Sequence, residues 1–186
     1  TEVGIGGLSE IGSGVELSQL IDDMNKLAYR IDNNNVQLSL LETVASNLHI
    51  DEERYISGRP IDKGWLSSPY GLRNDPFSGR RTMHKGIDFA GKEGADVTTT
   101  AAGVVTWSGS MLGYGELVEI DHGNGLRTRY GHNKSLSVNV GDVVAKGDKI
   151  ASMGSTGRST GPHVHYEVLR GKQQIDPQKY VYRKAS

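Results

Sequence analysis

The 186-residue sequence predicts a mainly β protein: an antiparallel β-sheet or sandwich domain preceded by a long N-terminal coiled-coil helix. Three observations lead there. No glycine lies between Gly14 and Gly58, whereas 19 of the 25 follow residue 60, and the first proline is Pro60. Apolar residues step by three and four through the glycine-free stretch. Beyond it, short runs of strand-forming residues alternate with Gly-containing turns. The shift in composition predicts a boundary near residues 50–60, with an acidic helix and linker over 1–58 and a β domain over 59–186.

The helix comes first in the chain. Ser13 and Glu16 have the S-x-x-E spacing of a capping box. Leu17, Leu20, Met24, Leu27, Ile31, Leu38, Leu41, Ala45 and Leu48 then form an a/d seam, with Asn34 at a d position where it would set register at some cost in stability. A helix of this span is about 50 Å long at 1.5 Å per residue. Its seam calls for a partner helix, a second copy of the chain or the following domain. His49, at the helix end, is expected to cap or face solvent.

Strands are expected at Val104–Trp107, Glu116–Ile120, Leu126–Tyr130 and His163–Val168, with His122-Gly123-Asn124-Gly125 as a hairpin turn. His122 is expected to serve that turn. Trp65 and Trp107 are expected in the core or a groove wall. No helical pattern separates these strands, which argues against βαβ units.

Composition narrows the function classes. Lys and Arg number 21 against 22 Asp and Glu, a net charge of −1 that argues against a strongly basic nucleic-acid binder. The average conceals asymmetry: residues 1–60 carry 4 Lys/Arg against 10 Asp/Glu, and residues 61–186 carry 17 against 12. With no cysteine, a disulfide scaffold and a thiolate metal site are both excluded. No apolar run is long enough to span a membrane. The chain begins at Thr1 without a leader pattern and reads as a mature fragment.

Five of the six histidines fall within residues 84–165. On a strand, His163, His165 and Glu167 share one face, while Val164, Tyr166 and Val168 point to the core. If His84–Phe89 is extended, His84 and Asp88 share a face across the small Gly86, and Ile87 and Phe89 turn inward. His84, Asp88 and one of the paired histidines would make an N₂O ligand set with a fourth position open, the count of a catalytic zinc site. Turn-capping, partly buried histidines are the competing reading of these spacings, and Glu167 could itself be a ligand.

Residues 64–180 resemble the lysostaphin/LytM-type zinc metallopeptidases, peptidoglycan endopeptidases of the duplicated-hybrid-motif fold. Pro69-Tyr70-Gly71-Leu72-Arg73 resembles the family's opening strand. His84-Lys85-Gly86-Ile87-Asp88 matches its H-x-G-x-D signature, Tyr130-Gly131-His132 its second motif, and Ser159–Glu167 its third. The resemblance implies Zn²⁺ held by His84, Asp88 and His165, with His132 and His163 as catalytic histidines and Glu167 as a supporting group behind a ligand. It implies hydrolysis of peptidoglycan peptide cross-links by metal-activated water with a histidine general base. Tyr114 and Arg158, on loops expected to flank a groove, are candidate substrate contacts.

Two further expectations follow from the layout. Its likeness to Gram-negative envelope enzymes favours a diaminopimelate-type cross-link, an exported protein of the cell envelope or periplasm, and compatibility with a membrane anchor upstream. The helix could also cover the groove, with Asn47 or Asp51 at the open zinc position as in latent relatives. The alternative of another class is a non-catalytic regulator that activates another cell-wall hydrolase through the coiled coil. The run Val138–Asp148 resembles the hairpin of biotinyl/lipoyl carrier domains, but no lysine there has the flanking residues of a modification site.

Overall fold

The computed structural model describes residues 13–182, with side chains for 17–42 and 55–182. The chain divides into two compact units, residues 1–48 and 49–186. Helix α1 (Ser13–Arg54) is 42 residues long, and the side chains of Ser13 and Glu16 lie outside those described. No proline interrupts it, and Leu, Met, Glu, Gln and Lys favour the conformation along much of its length. Leu17, Leu20, Met24, Leu27, Ile31, Leu38 and Leu41 are each at least half exposed. Asn47, His49 and Asp51 lie outside the described side chains. No described helix is long and apolar enough to cross a membrane.

The second unit is built from short antiparallel strands: β1 (Trp65–Ser68), β2 (Gly71–Asn74), β3 (Arg81–His84), β4 (Ile87–Ala90), β5 (Asp96–Thr98), β6 (Gly103–Met111), β7 (Gly115–Asp121), β8 (Leu126–Leu136), β9 (Val143–Val144), β10 (Lys149–Met153), β11 (His163–Arg170) and β12 (Gln173–Ile175). A four-residue helix, α2 (Gln178–Val181), follows. Ten strands form one sheet whose main path runs β1-β4-β11-β8-β7-β6-β9, with β10 joining β5 to β8 and β12 flanking β11. β2 and β3 make a separate ribbon. The four strands expected from sequence fall inside β6, β7, β8 and β11.

Alternation along β4 and β11 divides two faces. Ile87, Phe89, Val164, Tyr166 and Val168 enter the core, joined there by Val118, Ile120 and Tyr130. Ile56 and Ile61, ahead of the first strand, belong to the same core at 2% and 3% exposure. The two core tyrosines satisfy their hydroxyls on Thr100 at 3.1 and 2.8 Å, so burial leaves neither unpaired.

β8 changes neighbours along its length. Residues 126–131 pair with β11, and residues 133–136 pair with β10. The residue between is His132, whose φ of +63° lies in the left-handed region. A non-glycine residue there is disfavoured by contact between its Cβ and backbone. This bend turns the His132 side chain away from the regular strand alternation.

Two local expectations change. His84 and Asp88 do not share one extended strand: β3 ends at His84, β4 begins at Ile87, and the two strands belong to different sheets. Trp65 and Trp107 are exposed, at 64% and 41%, and neither lines the groove described below. Lys146 donates to Ser57 Oγ at 2.5 Å, which ties the Val138–Asp148 segment to the start of the domain. His122 is buried, between Ala102 O at 2.8 Å and Thr128 Oγ1 at 2.7 Å, a structural position as expected.

Candidate metal centre and groove

Strand pairing creates the centre. Asp88 on β4 stands directly across from His165 on β11. The β2–β3 ribbon brings His84 in from the side, where its Nδ1–H donates to Pro69 O at 2.7 Å. That tautomer leaves Nε2 as the free lone pair. Gly86 sits in the turn between β3 and β4, and a Cβ there would collide with the Tyr166 carbonyl and with the His165 ring at 2.9 Å. The glycine therefore permits close approach of this turn to β11, rather than leaving open space between two ligands.

The three buried side chains converge. His84 Nε2 is 3.1 Å from Asp88 Oδ1 and 3.2 Å from His165 Nδ1, which is itself 2.8 Å from Asp88 Oδ1. Ligands about 2.0–2.1 Å from a tetrahedral zinc stand about 3.3 Å apart, so the spacing suits that ion. The tautomers suit it too. His165 Nε2 faces Glu167 Oε1 at 3.2 Å, and a proton there leaves Nδ1 as a lone pair. Two imidazole lone pairs and a carboxylate oxygen aimed at one point repel unless a cation lies between them.

A proton is the smallest such cation. Burial lowers the His165 pKa, but hydrogen bonds to Asp88 and Glu167 outweigh it and push it up to about 9. Burial raises Asp88, and the bonds to His165 and His84 reverse this and hold it far below the usual carboxylate range. A metal ion must displace the shared proton.

Glu167 stands behind His165, outside the converging group. Its Oε1 also accepts from Tyr114 Oη at 3.0 Å, and Arg129 approaches Oε2 at 3.5 Å. Arg129 is in turn held by Glu119 at 2.6 Å, with Arg127 on the other carboxylate oxygen at 2.9 Å. Burial pushes the Tyr114 phenol up to about 12, with Glu167 adding to the effect, so Tyr114 remains a donor. Arg73 covers the outer oxygen of Asp88 at 3.4 Å.

The centre floors a groove of about 280 Å³. His132 and His163 line it with ring centroids 4.7 Å apart, and His163 Nε2 lies 3.8 Å from Asp88 Oδ1. Tyr114 and Arg158 also line it. Arg158 is held at its wall by Asp75, 2.7 and 2.8 Å from the two carboxylate oxygens, and lies over the Phe77 ring at 4.8 Å. All eight residues singled out in sequence therefore belong to one groove or its immediate support. Sequence reasoning missed Arg73, Arg129, Glu119 and Asp75. The i, i+2 spacing of Arg127 and Arg129 places both on one strand face, but their acidic partners come from neighbouring strands.

Comparison with known proteins agrees with this geometry. Residues 82–177, just over half of the chain, match Peptidase family M23. The DD-carboxypeptidase/endopeptidase Mpg of Neisseria meningitidis serogroup B is 44% identical over 112 residues, covering 60% of this chain and 26% of that protein. The peptidoglycan DD-endopeptidase ShyB of Vibrio cholerae is 38% identical over 130 residues, covering 68% and 30%. Among solved structures, a zinc-containing peptidase from Vibrio cholerae superposes with a TM-score of 0.63 at 35% identity, over 72% of this chain and 41% of that one. The catalytic domain of lysostaphin from Staphylococcus simulans gives 0.59 at 28% identity, over 64% and 93%. The chain thus spans less than a third of the length of these two curated relatives. With its antiparallel fold, its buried His/Asp/His group and these similarities, the chain belongs to the metallopeptidases of family M23.

Proposed function

We propose that the β domain is a zinc-dependent endopeptidase that hydrolyses peptide cross-links of bacterial peptidoglycan, the substrate named for the similar ShyB. One observation carries this reading: His84 Nε2, Asp88 Oδ1 and His165 Nδ1 converge within 3.2 Å beneath a groove bearing two further histidines. His84, Asp88 and His165 would hold the ion. Bound there, zinc supplies positive charge that acidifies water and polarises a peptide carbonyl.

The remaining work falls to the chain's own side chains. His132 Nδ1–H donates to Thr156 O at 2.7 Å, and His163 Nδ1–H to Gly161 O at 2.8 Å. Both rings therefore keep Nε2 as an acceptor. Burial pulls His132 down to about 4, against the opposing effect of its bond to Thr156, so the ring is neutral at pH 7. One of the two rings takes a proton from the attacking water and returns it to the leaving amine, while the other steadies the water by a hydrogen bond. Glu167 orients His165, and Tyr114 and Arg158 contact the peptide.

A DD-type cross-link containing diaminopimelate, a location in the bacterial envelope and a helical partner for the α1 seam belong to the same proposal. Similarity to the Pseudomonas aeruginosa lipoprotein NlpD/LppB homolog, 39% identical over 126 residues, supports the envelope location. Digestion of purified sacculi, with products identified by mass, tests the reaction. Cross-linked muropeptides should fall, chelator should block the loss and zinc should restore it. Undiminished hydrolysis in chelator would overturn the metal role. No hydrolysis by zinc-loaded protein would leave the non-catalytic activator as the better account.

A further inference from the structure

We infer that Thr156 is a positioning residue that sets both the backbone bend and the tautomer of His132. The inference rests on His132 being one of the groove's proton acceptors.

The bend requires something to hold it. His132 is a non-glycine residue at φ +63°, at the point where β8 passes from β11 to β10. Its ring can face the groove only while that conformation persists. Thr156 is bonded to the residue that follows the bend and to the neighbouring strand β7. Its hydroxyl donates to Asn133 O at 2.6 Å and accepts from Glu116 N–H at 2.9 Å, so its donor and one acceptor site are engaged. Its carbonyl accepts from His132 Nδ1–H at 2.7 Å. One residue therefore ties the strand after His132, the start of β7 and the imidazole itself.

Packing leaves this arrangement little freedom. Gly115 and Gly157 both have positive φ, at +65° and +70°, and their backbones lie against each other. A Cβ on Gly115 would collide with Thr156, and one on Gly157 would collide with Gly115. Tyr114 O accepts the His132 N–H at 2.7 Å from the same junction. Asn133, fully buried, donates to Glu116 O at 2.9 Å and Tyr130 O at 2.7 Å, which closes the tie from the other side.

The chemical consequence lies in the tautomer. With its proton held on Nδ1 by Thr156 O, the neutral ring presents an unprotonated Nε2 to the groove. If the 156–157 segment drifts, Nδ1 loses its acceptor and the proton can move to Nε2. A ring protonated at Nε2 cannot accept a proton there.

Thr156→Val removes the hydroxyl while preserving shape, and Thr156→Ser keeps the hydroxyl. Nitrogen-15 NMR of the histidine rings at pH 7 should show His132 in the Nδ1–H form in the wild type and in Thr156→Ser. Thr156→Val should show a mixture with the Nε2–H form. Sacculus hydrolysis by Thr156→Val should fall about 10–100-fold in kcat with little change in KM or zinc content, and Thr156→Ser should recover most of it. A wild-type tautomer in folded Thr156→Val would overturn the inference, as would a loss in both variants alike. If Thr156→Val does not fold, a wild-type ring already in the Nε2–H form, or a His132 Nδ1–H no better protected from exchange than His163 Nδ1–H, would also overturn it. The NMR result does not depend on hydrolysis, so failure of the peptidase reading would be seen separately in an inactive wild type with the expected tautomer.

Discussion

Asp88 and Glu167 are both buried carboxylates beside His165, yet their positions assign them different work. Asp88 offers Oδ1 to the point where His84 and His165 converge, whereas Glu167 holds the far side of the ring. Asp88→Asn should weaken zinc binding by at least about 100-fold, and Glu167→Gln by about 10–100-fold, the range for partners one bond removed from the ion. Competition with a chromophoric chelator measures both, and equal losses would contradict the distinction. Proton competition adds a pH dependence. His165 titrates at about 9 in the metal-free protein, so one proton must leave on binding at lower pH. Zinc affinity should rise about tenfold per pH unit from about 7 toward 9 and then level off, after correction for zinc hydrolysis. Calorimetry in buffers of different ionisation enthalpy should count close to one proton released at pH 7, and a count near zero would contradict the shared proton.

Single elements place these residues, and two backbone features are decisive. Gly86 lets the β3–β4 turn meet β11, so Gly86→Ala should force the turn from the Tyr166 carbonyl and the His165 ring. A loss of about 1–3 kcal/mol in urea unfolding is expected, with weakened zinc binding. The bend at His132 has a titration signature. Burial holds His132 at about 4, below the ~6.5 of an unfolded imidazole. The unfolded chain therefore binds this proton first. The contribution is present above pH ~6.5 and is lost as pH falls through about 4. His132→Asn retains a residue tolerant of positive φ and removes the titration. Urea midpoints of the metal-free protein should thus decline less steeply between pH 6.5 and 4 in His132→Asn than in the wild type.

At the scale of the chain, the two compact units meet between residues 48 and 49. Ile56 and Ile61 pack into the β-domain core although they precede its first strand. Removing residues 1–48 should leave the thermal transition of the β domain in place. Removing 1–58 also removes Ile56, at 2% exposure, and should cost about 2–5 kcal/mol, as for deletion of a buried aliphatic side chain. Scanning calorimetry of the two truncations measures the difference. Sacculus hydrolysis by the shorter truncation, compared with the full chain, tests whether the helix restrains the site. A gain would support restraint, and unchanged or lower activity would count against it.

Much of the protein was legible before folding was considered. Period-two alternation marked β4 and β11, glycine-rich turns marked the hairpins, and four histidines with one aspartate pointed to the candidate centre. The supporting cast was not. Arg129 reaches Glu167 and Glu119 because β8 lies between β11 and β7, and Asp75 reaches Arg158 across 83 positions of sequence. The sequence supplied ligand types and strand faces because these depend on side-chain chemistry and a local period. Only the tertiary structure placed His84 and Asp88 on separate sheets, bent β8 at His132 and set Thr156 against it. Those features depend on which strands pair and where a strand changes partners, and such long-range pairing leaves no fixed spacing along the chain.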